Sequence, residues 1–189
     1  MRLPPLPPET LSPELRELHE GIVKLVAGAQ EHIVMLDGRG ALIGPFPALL
    51  HFPRFGIPAT LFQRALNTEA RLPNVVRQVA ILAVGASFGA RYELYAHEIT
   101  GAHAGLSSSQ IATLASGGCP ADLSEEQAIA YDVARCLLSR RILPASTYEK
   151  AHRLLGEDGV GELAFLIGGY CLISVLLNCF DVPLPGVDT

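Results

Sequence analysis

The fold is indicated most directly by residues 74–88, which have the sequence NVVRQVAILAVGASF. Every residue from Val79 to Val84 is apolar, so a helix formed here would have no polar face. A helix that is apolar on all sides belongs in the centre of a protein, surrounded by other elements. Pro73 marks its start and Gly89 allows it to end. We therefore predict a central helix over residues 74–88.

Helical spacing and capping signals predict further helices on both sides of this segment. Arg91–Ala104 follows directly and has Gly105 behind it, which is typical of a helix end. Two capping boxes, Ser107 with Gln110 and Ser124 with Gln127, each indicate the first turn of a helix. The remaining predicted helices are Ser12–Gln30, Pro58–Glu69, 107–116, 124–140, a short helix from Ser146, and Glu157–Phe180.

The rest of the chain shows no sheet. Residues 1–13 are rich in proline and predict an extended, polyproline-like arm, followed by a single domain at 14–186. Residues 36–47 are rich in glycine and proline and predict a loop. No segment sustains the two-residue alternation of a half-buried strand, and the best candidate, Ile33–Leu36, is short and isolated. The predicted fold class is all-α.

The composition excludes several classes of protein. With 14 Lys+Arg against 19 Asp+Glu, the net charge is −5, which argues against a nucleic-acid binder or a polybasic membrane anchor. Hydrophobic residues make up 49% of the 189 residues and charged residues 17%, which excludes disorder. So much apolar surface exceeds the needs of a small monomer, and we expect part of it to lie between the subunits of a homo-oligomer.

One apolar run, Leu163–Leu177, could be taken for a membrane span. It is shorter than the roughly 20 residues that a bilayer requires, so we predict a buried helix. Met1-Arg2-Leu3 leads straight into prolines, without the apolar core of a secretion signal. The four cysteines form no Cys-x-x-Cys motif. We expect a cytoplasmic protein with reduced thiols and no membrane partner.

The most informative chemical signal is the pair of Glu93 and His97. Four residues apart on a helix, they lie on one face. A carboxylate beside an imidazole fixes the ring tautomer and raises the imidazole pKa, as a general acid/base near neutral pH requires. A solvated surface pair is the alternative and, from spacing alone, the commoner arrangement. The preceding apolar helix favours a buried position, where an ionisable pair indicates function.

Several other side chains are candidates for substrate binding. Arg77 could bind an anionic substrate by a bidentate carboxylate contact, or could be a solvated residue of the first helical turn. His51 has apolar neighbours and is either a core histidine or a donor that lines a pocket. Tyr92 and Tyr95, on the helix of Glu93 and His97, are assigned with His51 to substrate binding. Cys119, in a Gly-Gly-Cys-Pro loop, is expected to be the most accessible thiol.

Metal and nucleotide sites are not indicated. His97-Glu98-Ile99-Thr100-Gly101 begins like the zinc-protease motif, but glycine stands where the second histidine ligand would be. Glu-x-x-His, the motif of di-iron helix bundles, does not occur. Neither a glycine-rich dinucleotide motif nor a Gly-x-Ser-x-Gly nucleophile turn is present in a suitable context. We expect no metal and no cofactor.

Four blocks of the sequence resemble the carboxymuconolactone decarboxylase family, which shares its fold with the alkylhydroperoxidase D-type proteins. The resemblance extends over about residues 12–186, and its most specific part is the Glu-x-x-x-His helix with the apolar helix before it. It implies an all-α, alkylhydroperoxidase D-like fold that assembles as a trimer or hexamer, with sites near subunit boundaries. The matching blocks are residues 44–51, 76–82, 90–97 and 104–111, with a closing segment at 169–185.

The resemblance also separates two branches of this fold. The peroxidase branch has Cys-x-x-Cys before the histidine, at the positions of Ala90 and Glu93 in this chain, and a glutamate at the position of Gln78. A dithiol peroxidase needs both thiols, so that activity is not expected. The decarboxylase branch has a glutamate four residues before the histidine and an arginine at the position of Arg77.

The resemblance to the decarboxylase branch implies a cofactor-free decarboxylation, or a related proton transfer, on a small carboxylated lactone or keto acid. Arg77 would bind a carboxylate or lactone oxygen, His97 would move a proton at the carbon that loses CO₂, and Glu93 would orient His97 and balance its charge. Two alternatives remain open: a non-catalytic, ligand-binding oligomer of the same fold, and a peroxidase that uses Cys119.

Overall fold

The structure, a computed structural model, describes residues 1–26 and 32–186. Within these ranges the only strand-like pairing is an isolated antiparallel bridge between Leu36 and Leu42. The all-α class is therefore confirmed. A short 3₁₀ turn at Pro8–Thr10 precedes the helices α1 Pro13–Val26, α2 Phe46–His51, α3 Pro53–Thr68, α4 Asn74–Phe88, α5 Arg91–His103, α6 Ser108–Ala115, α7 Glu125–Leu138 and α8 Ala145–Cys179.

Helix α4 occupies the centre of the fold, as its apolar sequence predicts. It packs against α5, α6, α7 and α8. All ten residues from Val76 to Gly85 are buried, including the polar Arg77 and Gln78. The helix ends at Gly89, whose φ of 59° is in the left-handed region that glycine adopts without strain. Arg77 and Gln78 are consequently held in the interior at the start of this central helix.

Both predicted capping boxes are formed. The Ser107 hydroxyl accepts from the backbone of Gln110, and the Gln110 side chain accepts from the backbone N–H of Ser107. Ser124 and Gln127 repeat the arrangement at the start of α7. Each box satisfies two of the backbone donors that a helix start leaves unpaired, which fixes where these helices begin.

The predicted helix starts between residues 45 and 58 are wrong, because prolines in this stretch are interpreted as loop residues. The predicted loop 36–47 already contains the start of α2 at Phe46, and α3 begins at Pro53 instead of Pro58. Proline is tolerated in the first turn of a helix, where its missing N–H is not needed. Pro47 in α2 and Pro53 in α3 both lie in such a first turn. Pro58 then lies inside α3, which is the unfavourable position for proline.

Helix α8 is interrupted at Gly156, whose φ of 73° and ψ of 174° are not helical, so it consists of two helical segments. The break agrees with the predicted short helix from Ser146 and the separate helix that begins at Glu157. By length and hydropathy α8 could cross a membrane. Its inner face is instead packed in the core through Leu163 and Leu166, while Phe165 and Val175 on its outer face are exposed. The helix predicted to be buried over Leu163–Leu177 is thus buried on one face within the chain.

The N-terminal arm is held against the body of the protein. The Arg2 backbone N–H donates to Phe180 O at 2.9 Å, and Arg2 Nη1 donates to Cys179 O at 2.8 Å. The arm therefore lies against the end of α8. The predicted end of α1 at Gln30 lies outside the described residues.

Candidate active site

A cavity of about 400 Å³ lies between the helices that surround the start of α4. Its lining comes from α1, α2, α3, α4, α5 and α8. Most of the wall is apolar, and a cavity of this size and character is typical of small-molecule sites. The polar lining side chains include Asn74, Arg77 and Gln78 of α4, Glu93 and His97 of α5, and Tyr170 of α8.

Glu93 and His97 face one another on the wall formed by α5. His97 Nε2 lies 3.4 Å from Glu93 Oε1, and both side chains are largely buried. Their spacing of four residues produces this contact, as the sequence predicts. The pair is drawn inward because α5 packs directly on the buried α4. The solvated surface pair is thereby excluded.

The other ring nitrogen of His97 is held by Gln78. The distance from His97 Nδ1 to Gln78 Oε1 is 2.8 Å. Gln78 Nε2 donates to Asn74 Oδ1 at 3.1 Å, so the amide presents its oxygen to the histidine. The Nδ1 atom must then carry the proton, which leaves the Nε2 lone pair directed at Glu93.

Burial reverses the expected charges of this pair. Desolvation raises the pKa of Glu93 to about 8. Desolvation and the nearby Arg77 charge lower the pKa of His97 to about 3. Near neutral pH the carboxyl is protonated and the imidazole is uncharged. The expectation that the carboxylate raises the imidazole pKa is therefore corrected, since the cost of burying two charges exceeds their attraction.

Arg77 is buried at the edge of the cavity. Its Nη2 donates to Leu66 O at 2.7 Å, and its Nε lies 3.7 Å from Glu162 Oε1. Glu162 is fixed in turn, because its Oε2 accepts from the backbone N–H groups of Arg71 and Leu72 at 2.8 and 3.0 Å. Nη2 also donates to Asn67 Oδ1 at 3.4 Å, whereas within the described residues neither Nη1 nor the buried Nε makes a hydrogen bond, and Arg77 lines the cavity.

Two of the side chains assigned to substrate binding lie outside the cavity. His51 Nε2 is 3.0 Å from Pro4 O, so the ring contacts the N-terminal arm. The Tyr95 hydroxyl accepts from Val34 N–H at 3.2 Å. Tyr92 does line the cavity, and its hydroxyl donates to Val34 O at 2.8 Å. Tyr92 and Tyr95, three residues apart on α5 with ring centroids 5.8 Å from each other, thus both bond to the loop residue Val34.

Three contributors to the site are missed by the sequence analysis. Gln78 is noted there only as the residue that replaces a glutamate. Its spacing of four from Asn74 is the signal that could have revealed a paired polar face on α4. Tyr170 packs edge-on against His97, with ring centroids 5.0 Å apart, and Glu162 approaches Arg77 from the same helix α8. Only the tertiary fold brings α8 to this position.

No cysteine lines the cavity in the part of the chain that the structure describes. Cys119 is exposed on the loop between α6 and α7, as predicted, and Cys179 is also exposed. Burial and the neighbouring Asp132 raise the pKa of the Cys119 thiol, which disfavours the reactive thiolate. Among the same residues no group of three His, Cys, Asp or Glu side chains could hold a metal ion.

The fold and site define a helical domain with a mostly apolar cavity and a buried Glu–His pair. The sequence matches no family model, and no curated protein is significantly similar to it. Two solved structures share the fold. The apo debrominase Bmp8 has a TM-score of 0.73 at 12% identity, covering 96% of this chain and 91% of that chain. A cysteine-to-alanine variant of Bmp8 in complex with 2,3,4-tribromopyrrole has a TM-score of 0.74 at 12% identity, covering 98% and 92%.

Proposed function

We propose that this chain is a cofactor-free enzyme that decarboxylates a small carboxylated lactone or keto acid, or performs a related proton transfer on such an acid. The observation that carries the proposal is the mostly apolar cavity in which a protonated Glu93, a neutral His97 and the Arg77 guanidinium lie together. A protonated carboxyl near neutral pH is a proton donor, and a buried cation stabilises developing negative charge.

The reaction requires three steps. The bond between the carboxyl carbon and its neighbour breaks, CO₂ leaves, and the electron pair moves into the adjacent carbonyl to give an enolate. Arg77 Nη1 stabilises the enolate oxygen in this step. The enolate carbon then takes the proton of the Glu93–His97 pair, which is reprotonated from water before the next cycle.

The geometry modifies the roles that the resemblance implies. His97 is oriented by Gln78 at Nδ1, and its free Nε2 faces Glu93. Glu93 holds the proton because its pKa is the higher of the two. We therefore assign Glu93 as the proton donor and His97 as the proton relay, whose Nε2 accepts the replacing proton from water and passes it to the Glu93 carboxylate.

Three features favour this proposal over the alternatives. The cavity lining among described residues contains no thiol, which a Cys-dependent peroxidase would need there. The resemblance to the decarboxylase branch agrees with Arg77, Glu93 and His97 sharing one cavity. The fold shared with a debrominase is compatible with an enzyme, although at 12% identity it shows the fold alone.

We also propose a homo-oligomer, a trimer or hexamer, as the resemblance implies. Support comes from large apolar side chains that remain exposed on α3 and α8: Phe55, Leu61, Phe165 and Val175. Such side chains commonly lie in subunit contacts.

The proposal is tested with a panel of β-keto acids and carboxylated lactones, with CO₂ release as the readout. Wild-type protein should release CO₂ from at least one member, and Glu93→Gln should abolish release while leaving the oligomer and the circular dichroism spectrum unchanged. Glu157→Gln, on the exposed part of α8, is the matched control. Saturable thermal stabilisation without CO₂ from any member would favour the ligand-binding oligomer instead.

A further inference from the structure

We propose that Tyr170 is a catalytic residue whose phenol hydroxyl donates a hydrogen bond to the substrate oxygen that becomes negatively charged when CO₂ leaves. This inference rests on the proposed function and deepens it, because it gives the enolate oxygen a second, uncharged donor besides Arg77. It follows from where the side chain lies, from its free hydroxyl and from the groups around it.

The side chain of Tyr170 reaches the part of the cavity that contains the Glu93–His97 pair. Tyr170 lies on α8 and lines the cavity. Its ring stands edge-on to the ring of His97, with centroids 5.0 Å apart and an angle of 88° between the two planes. The proton donor, its relay and this phenol therefore form one group of side chains.

Helix α3 connects the backbone beside Tyr170 to the anchor of Arg77. The neighbouring Gly169 packs so closely on α3 that a Cβ at this position would lie 2.5 Å from Leu66 Cδ1. Gly169 O also accepts from Gln63 Nε2 at 3.0 Å. Leu66 O is the acceptor for Arg77 Nη2 at 2.7 Å. The same turn of α3 thus positions both groups that we assign to the enolate oxygen.

The hydroxyl of Tyr170 has no hydrogen-bond partner among the described residues. A tyrosine inside a protein usually bonds its hydroxyl, as Tyr92, Tyr95 and Tyr131 do with backbone groups. The Tyr170 oxygen is also not enclosed by protein atoms. Because the side chain lines the cavity, its O–H is available to a ligand there.

The surroundings keep this hydroxyl protonated. Desolvation raises the pKa of Tyr170 above its ordinary value, the Glu93 charge raises it further, and the Arg77 charge lowers it. The phenol oxygen therefore lies within range of both groups. Glu93 is itself protonated near neutral pH, so its carboxylate does not compete for the phenol hydrogen. The hydroxyl is thus a hydrogen-bond donor, and the proton for the carbon comes from Glu93.

The hydrogen bond from Tyr170 becomes stronger as the reaction proceeds. When the bond to the carboxyl carbon breaks, its electron pair passes to the carbonyl oxygen of the substrate, and CO₂ leaves. The phenol O–H donates to that oxygen and stays intact, Arg77 supplies positive charge, and Glu93 then protonates the carbon. A donor that acts mainly on developing charge raises kcat more than it lowers KM.

The first test is Tyr170→Phe, which keeps the ring and its contact with His97 and removes only the oxygen. For an acid that releases CO₂, we expect kcat to fall by about 100-fold and KM to change by less than about threefold. The free energy of unfolding in urea should not fall, because the oxygen has no partner in the described part of the protein. Tyr148→Phe is the matched control, since Tyr148 lies exposed on α8 with its ring 6.1 Å from that of His152.

The second test does not depend on turnover. 4-Nitrophenol is titrated into the protein at pH 6, where the free compound is mostly un-ionised, and the visible absorbance of its phenolate shows which form is bound. The phenolate oxygen resembles an enolate oxygen, so the wild-type protein should bind the phenolate. Tyr170→Phe should bind it about tenfold more weakly, the effect of one lost hydrogen bond. Tyr148→Phe should bind as the wild type does.

Wild-type kcat or wild-type phenolate affinity in Tyr170→Phe would overturn the inference, and so would a wild-type protein that does not bind the phenolate. A loss of stability in Tyr170→Phe would also overturn it, because the hydroxyl would then serve the fold. Weaker phenolate binding by Tyr170→Phe, with no CO₂ release from any acid by the wild type, would remove the proposed function and leave Tyr170 as a donor to a bound oxyanion. Equally fast CO₂ release by wild type and Tyr170→Phe would do the reverse.

Discussion

Gln78 Oε1 lies 2.8 Å from His97 Nδ1, and this contact determines which nitrogen of the imidazole is free to react. The amide oxygen can only accept, so Nδ1 donates and Nε2 keeps its lone pair towards Glu93. A residue of α4 that need not touch the substrate thus sets the chemical state of a residue of α5. Gln78 is a positioning residue in this sense.

Gln78→Leu removes the acceptor and should release His97 from its single tautomer. We expect a loss of turnover of roughly tenfold, the kinetic equivalent of about one hydrogen bond. The specific readout is the ¹⁵N spectrum of the histidines, in which His97 should change from the Nδ1–H form to a mixture. Gln78→Glu should restore the single tautomer. An unaltered His97 signal in Gln78→Leu would contradict the assigned role.

His97→Gln removes the ring nitrogen that faces Glu93 and keeps a side chain of similar polarity. We expect turnover to fall by at least about 100-fold, as for loss of a general base. His152→Gln is the control, because His152 lies on the exposed surface of α8. Assembly should be unchanged in both variants. Full activity in His97→Gln would show that the pair is not the reacting centre.

The opposite pKa shifts of Glu93 and His97 should shape stability against pH. The raised pKa of Glu93, 4.5 to about 8, makes stability fall as pH rises through that window. The lowered pKa of His97, 6.5 to about 3, makes stability rise with pH through its own window. The two effects oppose each other between pH 4.5 and 6.5. Stability should therefore fall as the pH is lowered below 4.5, where only His97 contributes, and as the pH is raised from 6.5 to 8, where only Glu93 contributes.

Glu93→Gln should abolish the alkaline part of this loss, because a glutamine has no proton to release. Urea unfolding at pH 6.5 and pH 8 measures the difference directly. Wild-type protein and Glu157→Gln should lose stability between these two values, and Glu93→Gln should not. An equal decline in all three proteins would indicate that Glu93 is already ionised in the fold.

Replacing Gly56 or Gly168 by alanine should change the free energy of unfolding in opposite directions. A Cβ on Gly56 in α3 would lie 1.9 Å from the backbone oxygen of Leu49 in α2, so Gly56→Ala should destabilise the fold by about 1–3 kcal/mol. Gly168 in α8 has open space at its Cβ position, so Gly168→Ala should stabilise by about 0.5–1 kcal/mol. Urea midpoints that move in the same direction for both would contradict the close approach of α2 and α3.

The elements that the sequence predicts best are those with local causes. Helix α4 has the predicted bounds because Pro73 and Gly89 are its neighbours, and the boxes at Ser107 and Ser124 fix their helices through contacts three residues apart. The prolines near residue 53 have no such unique meaning, since a helix start and a turn both accept them. The helices α2 and α3 are misjudged for that reason.

In the site, too, contacts between residues close in sequence could be predicted, whereas those that depend on tertiary packing could not. The contact of Glu93 with His97 is local, and four-residue spacing is enough to predict it. Their protonation is not local, because the depth of burial depends on how α5 and α8 pack around α4. The partner of Arg77 is Glu162, 85 positions away along the chain, and no pattern in either segment indicates their pairing. The environment of a charge is a property of the tertiary fold.

The central position of α4 determines how the site is disrupted when the protein unfolds. Arg77 and Gln78 are anchored in a helix that four others enclose, so fraying at the surface leaves these two side chains in place. Their backbone amides should exchange with deuterium only when the whole domain opens. Heat or denaturant would then erase substrate binding and helical structure in one transition, with no intact but inactive species in between.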